Sequence, residues 1–291
     1  EYTALLTGDG ARYEVTYEVI NEGSGEIIIN CEAPDGIWYN SDISIQCDWS
    51  YPPDLNSTFY LSTNVPDGTE TDNAKTEPFE FCILDLTCIA VGPKGHHRVD
   101  KKPPVMSVTD VTFEATGELS IVDLQQPSVT DGGSGVMSVT SDAAPLGFPL
   151  GNTIVTWTAT DYVGNTSTET QTVTVVDSTP PVINSLSATP SVLWAPNKKM
   201  RNVKVITDVS DIVDDNPTCA LTDIQVSPAI TKPKRGLPFR ITGPDTALLL
   251  ADRDGATGAR VYTLMVSCSD KSGNTVSDTT EVTVPHDQRK K

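Results

Sequence analysis

Carboxylates are the residues of this sequence best placed to do chemistry, and they are bunched. The stretch TDVSDIVDDNP at 207–217 puts Asp208, Asp211, Asp214 and Asp215 in one loop, and ADRDGATG at 251–258 adds Asp252 and Asp254. Hard divalent cations take six to eight oxygen ligands from loops of this kind, although neither stretch has the spacing of an EF-hand. The sequence therefore predicts no organic cofactor, with calcium as the one candidate ion at Asp208, Asp211, Asp214 and Asp215. The competing reading is a solvated acidic loop.

Other chemistry is harder to assemble. The three histidines are His96 and His97, side by side in a Gly- and Lys-rich loop expected to be solvated, and His286 near the end. There is no H-E-x-x-H and no G-x-S-x-G. No nucleophile, base and orienting acid come together at readable spacing, so the chain is expected not to be an enzyme. Asn56 (NST) and Asn165 (NTS) are formal glycosylation acceptors in predicted loops. Trp38, Trp49, Trp157 and Trp194 stand in strand-like contexts and are expected in cores rather than in a sugar-stacking platform.

The six cysteines fall four in the first hundred residues, none in the middle and two in the last third. Even counts per segment predict local disulfides and hence a secreted or cell-surface protein. Cys219 and Cys268 are the only pair in their segment and are expected to join, constraining the unfolded chain by about 2–4 kcal/mol. For the other four, Cys47 to Cys82 across the sheets with Cys31 to Cys88 at the edge is the preferred arrangement. Cys31 to Cys47 with Cys82 to Cys88, each across a hairpin, is the alternative.

The elements that must position these groups read as strands. Pro and Gly supply 41 of the 291 residues, and Thr, Ser, Val and Asp recur in short runs, a mix that favours turns and strands. A strand, turn and strand recurs as VTWTATDYVGNTSTETQTVTVVD at 155–177 and VYTLMVSCSDKSGNTVSDTTEVTVPHD at 261–287, aligning Asp161 with Asp270, Gly164 with Gly273 and Asn165 with Asn274. The Asp side chain accepts from backbone N–H groups two residues on, while Gly and Asn tolerate positive φ. Before the turn, Val155, Trp157 and Ala159 lie on one face at period two, matched by Tyr262, Leu264, Val266 and Cys268, and these faces should point into a core. A third copy, RYEVTYEVINEGSGEIIIN at 12–30, repeats the inward face as Tyr13, Val15, Tyr17 and Val19. In the other copies this hairpin closes a domain, so residues 1–30 read as an incomplete hairpin and a candidate assembly element, since a lone hairpin is marginal in water.

VDKKPPV at 99–105 and VDSTPPVI at 176–183 pair Val-Asp with Pro-Pro, which ends a ladder and favours a stiff connection. The predicted domains are 31–102, 103–178 and 179–291, after the hairpin 1–30. No apolar run approaches the ~18 residues of a membrane span, and EYTALLTGDG lacks a basic and then apolar leader. The net charge of -19 argues against nucleic acid. Residues 1–103 carry 6 basic against 18 acidic groups, 104–179 carry 0 against 9, and 180–291 carry 14 against 12. That asymmetry suits head-to-tail contacts between copies, and also plain solubility.

Segment 103–178, with its LGNTIVTWTATDYVGNTSTETQTVTVVDSTPPVI ending, resembles a hyalin-repeat (HYR) module, an immunoglobulin-like fold of extracellular adhesion proteins. CEAPDGIWYNSDISIQCDWS, followed by FYLSTNVPDGTETDNAKT and VDKKPPV, resembles a bacterial immunoglobulin-like repeat of large surface proteins. There the last turn reads Cys, Asp, two small residues, Gly, Asn, Cys. Here it reads CILDLTC at 82–88, without the Gly-Asn turn. PSVLWAPNKKMRNVKV through ARVYTLMVSCSDKSGN to VTVPHDQ is similar to terminal immunoglobulin-like modules of bacterial secreted proteins.

The expected fold is all-β: tandem immunoglobulin-like β-sandwiches in an extended rod. The resemblances imply a structural or adhesive protein, in its sharper form a filament subunit joined by β-strand complementation. The alternative is an ancillary carbohydrate- or ligand-binding region of a larger secreted enzyme. Expected partners are copies of the chain, other surface-protein modules, or glycans.

Overall fold

The structure, a computed structural model, describes residues 4–8, 12–18, 26–51, 55–83, 87–228, 237–252 and 258–285. Among the described residues every regular element is a β-strand. No helix is long and apolar enough to cross a membrane. The chain divides into two compact units: Glu1–Asp110 with Leu124–Ala143 and Ile154–Thr172, and Val111–Asp123 with Ala144–Thr153 and Val173–Lys291. The segment 103–178 contributes to both.

In the first unit a five-stranded antiparallel sheet runs in the order Ala4–Gly8, Arg12–Glu18, Glu26–Glu32, Ser44–Tyr51, Leu55–Ser62. A three-stranded sheet orders Trp38–Tyr39, His97–Asp100 and Glu70–Ala74, and Phe79–Ile83 pairs with Thr87–Val91. Alternation drives this packing: Ile27, Ile29, Cys31, Ile45, Cys47, Leu61, Ile89 and Val91 form one buried core. The expected boundary after residue 30 is therefore corrected. Strand Glu26–Glu32 crosses it, is paired on both edges, and places its inward residues in the first core. Tyr13, Val15 and Tyr17 stand opposite Cys31, Ile29 and Ile27 in register, so the hairpin belongs to a sheet rather than standing alone. Val19 lies outside the described residues.

The same unit holds Val105–Ser107 paired with Ser128–Thr130, and Val136–Ser141 paired with the 157–161 stretch. Val155, Trp157 and Ala159 are all buried, as their period-two spacing predicts. The Trp157 Nε1–H donates to Gln171 Oε1 at 3.0 Å, and Gln171 Nε2 donates to the Thr109 carbonyl at 2.6 Å. A buried indole N–H is thereby satisfied.

In the second unit Val182–Thr189, Met200–Ser210, Thr246–Leu250 and Phe239–Ile241 form a four-stranded sheet, and Thr218–Ser227, Arg260–Ser269 and Thr275–Val284 a three-stranded one. Both sheets feed one core that includes Val203, Val205, Ala247 and Leu249 from the first and Leu221, Tyr262, Leu264, Val266, Cys268 and Val282 from the second. Seven antiparallel strands in a four-plus-three arrangement around one core make an immunoglobulin-like sandwich. Here too the predicted inward face, Tyr262, Leu264, Val266 and Cys268, is buried.

All six cysteines are paired: Cys31–Cys47, Cys82–Cys88 and Cys219–Cys268. Cys219–Cys268 agrees with the expectation. The preferred Cys47–Cys82 and Cys31–Cys88 arrangement is corrected to the alternative. Adjacency decides it: Cys31 faces Cys47 across strands Glu26–Glu32 and Ser44–Tyr51, and Cys82 faces Cys88 across their hairpin. A chain with every thiol oxidised belongs to an oxidising, extracellular compartment.

Candidate functional site

The Val-Asp of each Pro-Pro linker meets the Asp-x-x-Gly-Asn turn of the next hairpin. In the first unit, Asp161 is fully buried at the end of Gly151–Asp161. Its Oδ1 accepts the Val163 and Asn165 N–H groups at 3.0 and 2.8 Å, and its Oδ2 accepts Asn165 Nδ2 at 2.7 Å. Gly164, at φ 94°, supplies the left-handed step that lets the chain turn back. The same Asn165 Nδ2 donates to the Asp100 carbonyl at 2.9 Å, tying linker to turn.

The second unit repeats the device. Asp270 Oδ1 and Oδ2 accept from Asn274 N–H and Nδ2 at 2.8 and 2.9 Å, Gly273 has φ 92°, and Asn274 Nδ2 donates to the Asp177 carbonyl at 3.0 Å. Ser272 Oγ adds a bond to Asp177 Oδ2 at 2.7 Å.

Around each clamp carboxylates converge. Glu70, Asp100 and Asp131 bring one oxygen each to within 4.8 Å of one another, and Asp177, Asp211 and Asp270 do the same. In the first group Asp100 is fully buried, with Oδ1 accepting the Lys102 N–H at 3.1 Å and Oδ2 the Ser134 N–H at 2.7 Å. Asp131 Oδ2 accepts the Gly135 N–H at 2.6 Å and Glu70 Oε1 pairs with Lys102 Nζ at 2.9 Å. Asp131 Oδ1, Glu70 Oε2 and Ser134 Oγ are buried with no partner. Burial pushes the Asp131 carboxyl up against the Gly135 N–H, helped by the charges of Asp100, Asp161 and Glu70. A Cβ on Gly133 would meet Asp100 Oδ2 at 2.5 Å, so only glycine lets this loop approach. In the second group Asp211 Oδ1 accepts the Val213 and Asp214 N–H groups, both at 2.8 Å, while Oδ2 is buried without a partner.

The predicted four-aspartate site is not assembled as such. Of Asp208, Asp211, Asp214 and Asp215, only Asp211 joins a cluster. Asp208 and Asp215 are exposed. Asp214 is buried and engaged, accepting Lys271 Nζ at 2.7 Å and the Lys271 and Asn216 N–H groups. Lys271 holds its carboxyl below the usual range. Asp252 is half-buried, and Asp254 and His286 lie outside the described residues.

Other expectations are refined. Asn56 is exposed, on strand Leu55–Ser62 rather than in a loop. The Asn165 side chain is committed to the clamp, which leaves its nitrogen no room for a glycan. His97 is buried on strand His97–Asp100 rather than solvated, and burial pushes its pKa down. Trp157 is core, Trp49 packs against the first core, and Trp38 lies under the Arg98 guanidinium at 5.9 Å. Trp194, at 48% exposure, departs from the core expectation.

Glu70, Asp100, Asp131 and Asp177 were not singled out by sequence reasoning. Two of them carried a signal: the Asp that precedes each Pro-Pro recurs with the Asp-x-x-Gly-Asn turn.

No family model matches the chain. It is 28% identical over 193 residues to hyalin of Lytechinus variegatus, covering 63% of this chain and 34% of that protein. The chain thus spans about a third of the length of the curated relative it matches. Similarity to hyalin accords with the hyalin-repeat resemblance, while the bacterial part of the expected kinship rests on sequence resemblance alone. Among solved structures, mouse protocadherin-24 EC1-3 is 13% identical, with 97% of this chain and 89% of that one covered at a TM-score of 0.32. The N-terminal eight immunoglobulin domains of Down syndrome cell adhesion molecule are 8% identical, covering 96% and 62% at a TM-score of 0.30.

Proposed function

We propose that the chain is a non-enzymatic, extracellular structural and adhesive segment, in which disulfide-stapled β-sandwiches are joined through linkers locked to their neighbours. The domains proposed are about 26–102, 103–178 and 179–291, the first taking in strand Glu26–Glu32. The observation that carries the reading is the repeated clamp: Asn165 on the Asp100 carbonyl and Asn274 on the Asp177 carbonyl. Two linkers, each held by the same hydrogen-bond device, favour load-bearing over hinge motion, because a stiff connection limits the orientations of what it joins. The hyalin similarity supports an adhesive setting. Expected partners are copies of this chain or other surface modules. Strand complementation by residues 1–30 is the sharper form of this proposal, and it is supported by strand Ala4–Gly8, which ends its sheet with one edge unpaired among the described residues.

The test is a bead assay with sedimentation. Beads coated with the purified chain should cluster with one another or with beads bearing surface-protein modules. Beads that stay dispersed in every pairing, together with a chain that sediments as a monomer, would refute the adhesive reading.

A further inference from the structure

The geometry points to a pair of related divalent-cation sites, one at Glu70, Asp100 and Asp131 and the other at Asp177, Asp211 and Asp270, each taking calcium. This rests on the reading of the linkers as locks and names the ion that completes them.

Clustered acidic groups alone would carry little weight. Two further observations single these out. The first is orphaned oxygen: Glu70 Oε2 and Asp131 Oδ1 in one cluster, and Asp211 Oδ2 in the other, are buried from solvent with no hydrogen-bond partner. A buried carboxylate oxygen without a donor is costly, and a cation lying among the converging oxygens removes that cost for several at once. The Ser134 hydroxyl is a fourth orphan beside the first cluster.

The second observation is repetition of the construction. Val105 and Val182, each following Pro-Pro, pair with Thr130 and Ser210, and the next residues along are Asp131 and Asp211. Asp100 and Asp177 occupy the same place in their linkers. Asp161 and Asp270 occupy the same place in their turns, and both are buried. The two clusters thus share two corresponding carboxylates, the linker Asp and the strand-end Asp, and differ in the third, Glu70 in one and the turn residue Asp270 in the other, each set within one compact unit.

Donor chemistry selects the ion. Every candidate ligand is an oxygen, and the groups contain neither imidazole nor thiolate, which disfavours zinc and copper. The carboxylates come from separate segments, an irregular set that suits calcium's variable coordination better than magnesium's strict octahedron. In the first group Lys102 pairs directly with Glu70 Oε1, and its charge also acts on Asp131 and Asp100. Lys271, which follows Asp270 in the turn, is paired with Asp214 rather than with a member of the second group.

The experiment is calorimetric titration of the chelator-stripped full chain with calcium chloride, beside magnesium chloride, at physiological ionic strength. Two calcium ions per chain are expected, with affinities in the range of extracellular modules, about 10⁻⁴–10⁻³ M, and weaker magnesium uptake. Asp131→Asn and Asp211→Asn should each reduce the stoichiometry from two to one, and the double variant should abolish uptake, with the β-sheet circular dichroism of all three matching the parent. If a single ion binds and is lost with one variant alone, the proposal stands for that cluster and is overturned for the other. No saturable uptake by about 10 mM, or undiminished uptake by the double variant, overturns it entirely. The bead assay in chelator separates this outcome from failure of the adhesive reading: beads that cluster without calcium leave adhesion intact and remove only the ion.

Discussion

Replacing Asn165 by alanine removes both arms of the first clamp. The bond to Asp161 Oδ2, at 2.7 Å, has an ionised acceptor and is of the class that contributes about 1.5–3 kcal/mol; the bond to the Asp100 carbonyl, at 2.9 Å, contributes about 1 kcal/mol. Their sum is about 3 kcal/mol, before any relaxation that lets water reach Asp161, which is fully buried in the intact protein. For a sandwich of this size each kcal/mol lowers the transition by about 4–8 °C, so a fall of about 12–24 °C is expected. Scanning calorimetry of the whole chain measures it, and the fluorescence of buried Trp157 identifies which transition moves. Asn274→Ala should leave that transition in place and lower the one belonging to the second-unit sandwich, because the two clamps share no residue. The reasoning fails if Asn165→Ala shifts the Trp157 transition by less than about 2 °C, or if both variants move the same transition.

The disulfide Cys219–Cys268 closes a separation of 49 residues, so the Cys219→Ser, Cys268→Ser double variant should lose about 4 kcal/mol by denaturant titration; a loss under about 1 kcal/mol would contradict the loop-closure account. Tyr262 is fully buried and its hydroxyl donates to the Leu250 carbonyl at 2.9 Å. Tyr262→Phe should therefore cost about 1 kcal/mol and Tyr262→Ala about 3–5 kcal/mol in the same titration. The Asp214–Lys271 pair sets a pH window. Lys271's side-chain bond is the largest cause holding the Asp214 pKa down, and the reciprocal bond raises that of Lys271. A lowered carboxyl contributes stability above its unfolded value of about 4, lost as pH falls through the folded value; a raised ammonium contributes below about 10.4, lost as pH rises through its folded value. Melting temperature across about pH 2–7 should show the acid limb, and Asp214→Asn should flatten it; an unchanged limb would mean that other carboxylates set it.

Period-two alternation made the inward faces readable. Val155, Trp157 and Ala159, and Tyr262 through Cys268, are buried because a strand side chain has only two directions to point, and the apolar ones take the dry one. Turn chemistry is equally local, and the Asp-x-x-Gly-Asn motif stands at the same place in both hairpins. What local pattern could not supply was adjacency. Asp211 was grouped with Asp208, Asp214 and Asp215 because they are near in sequence, yet strand Met200–Ser210 sends alternate residues to opposite faces, and Lys271 claims Asp214. Its actual companions, Asp177 and Asp270, lie in the linker and the final hairpin. The cysteines failed in the same way: either pairing was possible until strand Glu26–Glu32 was seen beside Ser44–Tyr51. The mistaken boundary at residue 30 also came from treating a hairpin as a unit when its second strand belonged to the neighbouring core.

The two linkers differ where it matters for charge. VDKKPPV carries two lysines and VDSTPPV none, and segment 104–179 has no Lys or Arg against nine acidic groups. The lysines of the first linker turn back to the acidic segment before it: Lys102 to Glu70, and Lys101 to Asp42 at 2.7 Å and to the Val65 carbonyl at 2.7 Å. In the second linker Ser178 and Thr179 replace them and donate to Glu114, with Ser178 N–H and Oγ at 2.7 and 2.8 Å and Thr179 Oγ1 at 3.0 Å. That linker binds its neighbour through hydrogen bonds to a carboxylate and adds no positive charge. Since like carboxylates repel more strongly when nothing between them is cationic, the Asp177, Asp211 and Asp270 cluster has the greater need of an external ion. The first cluster already has part of its charge offset by Lys102. One construction, used twice, thus differs in its demand for a cation through two residues of linker sequence.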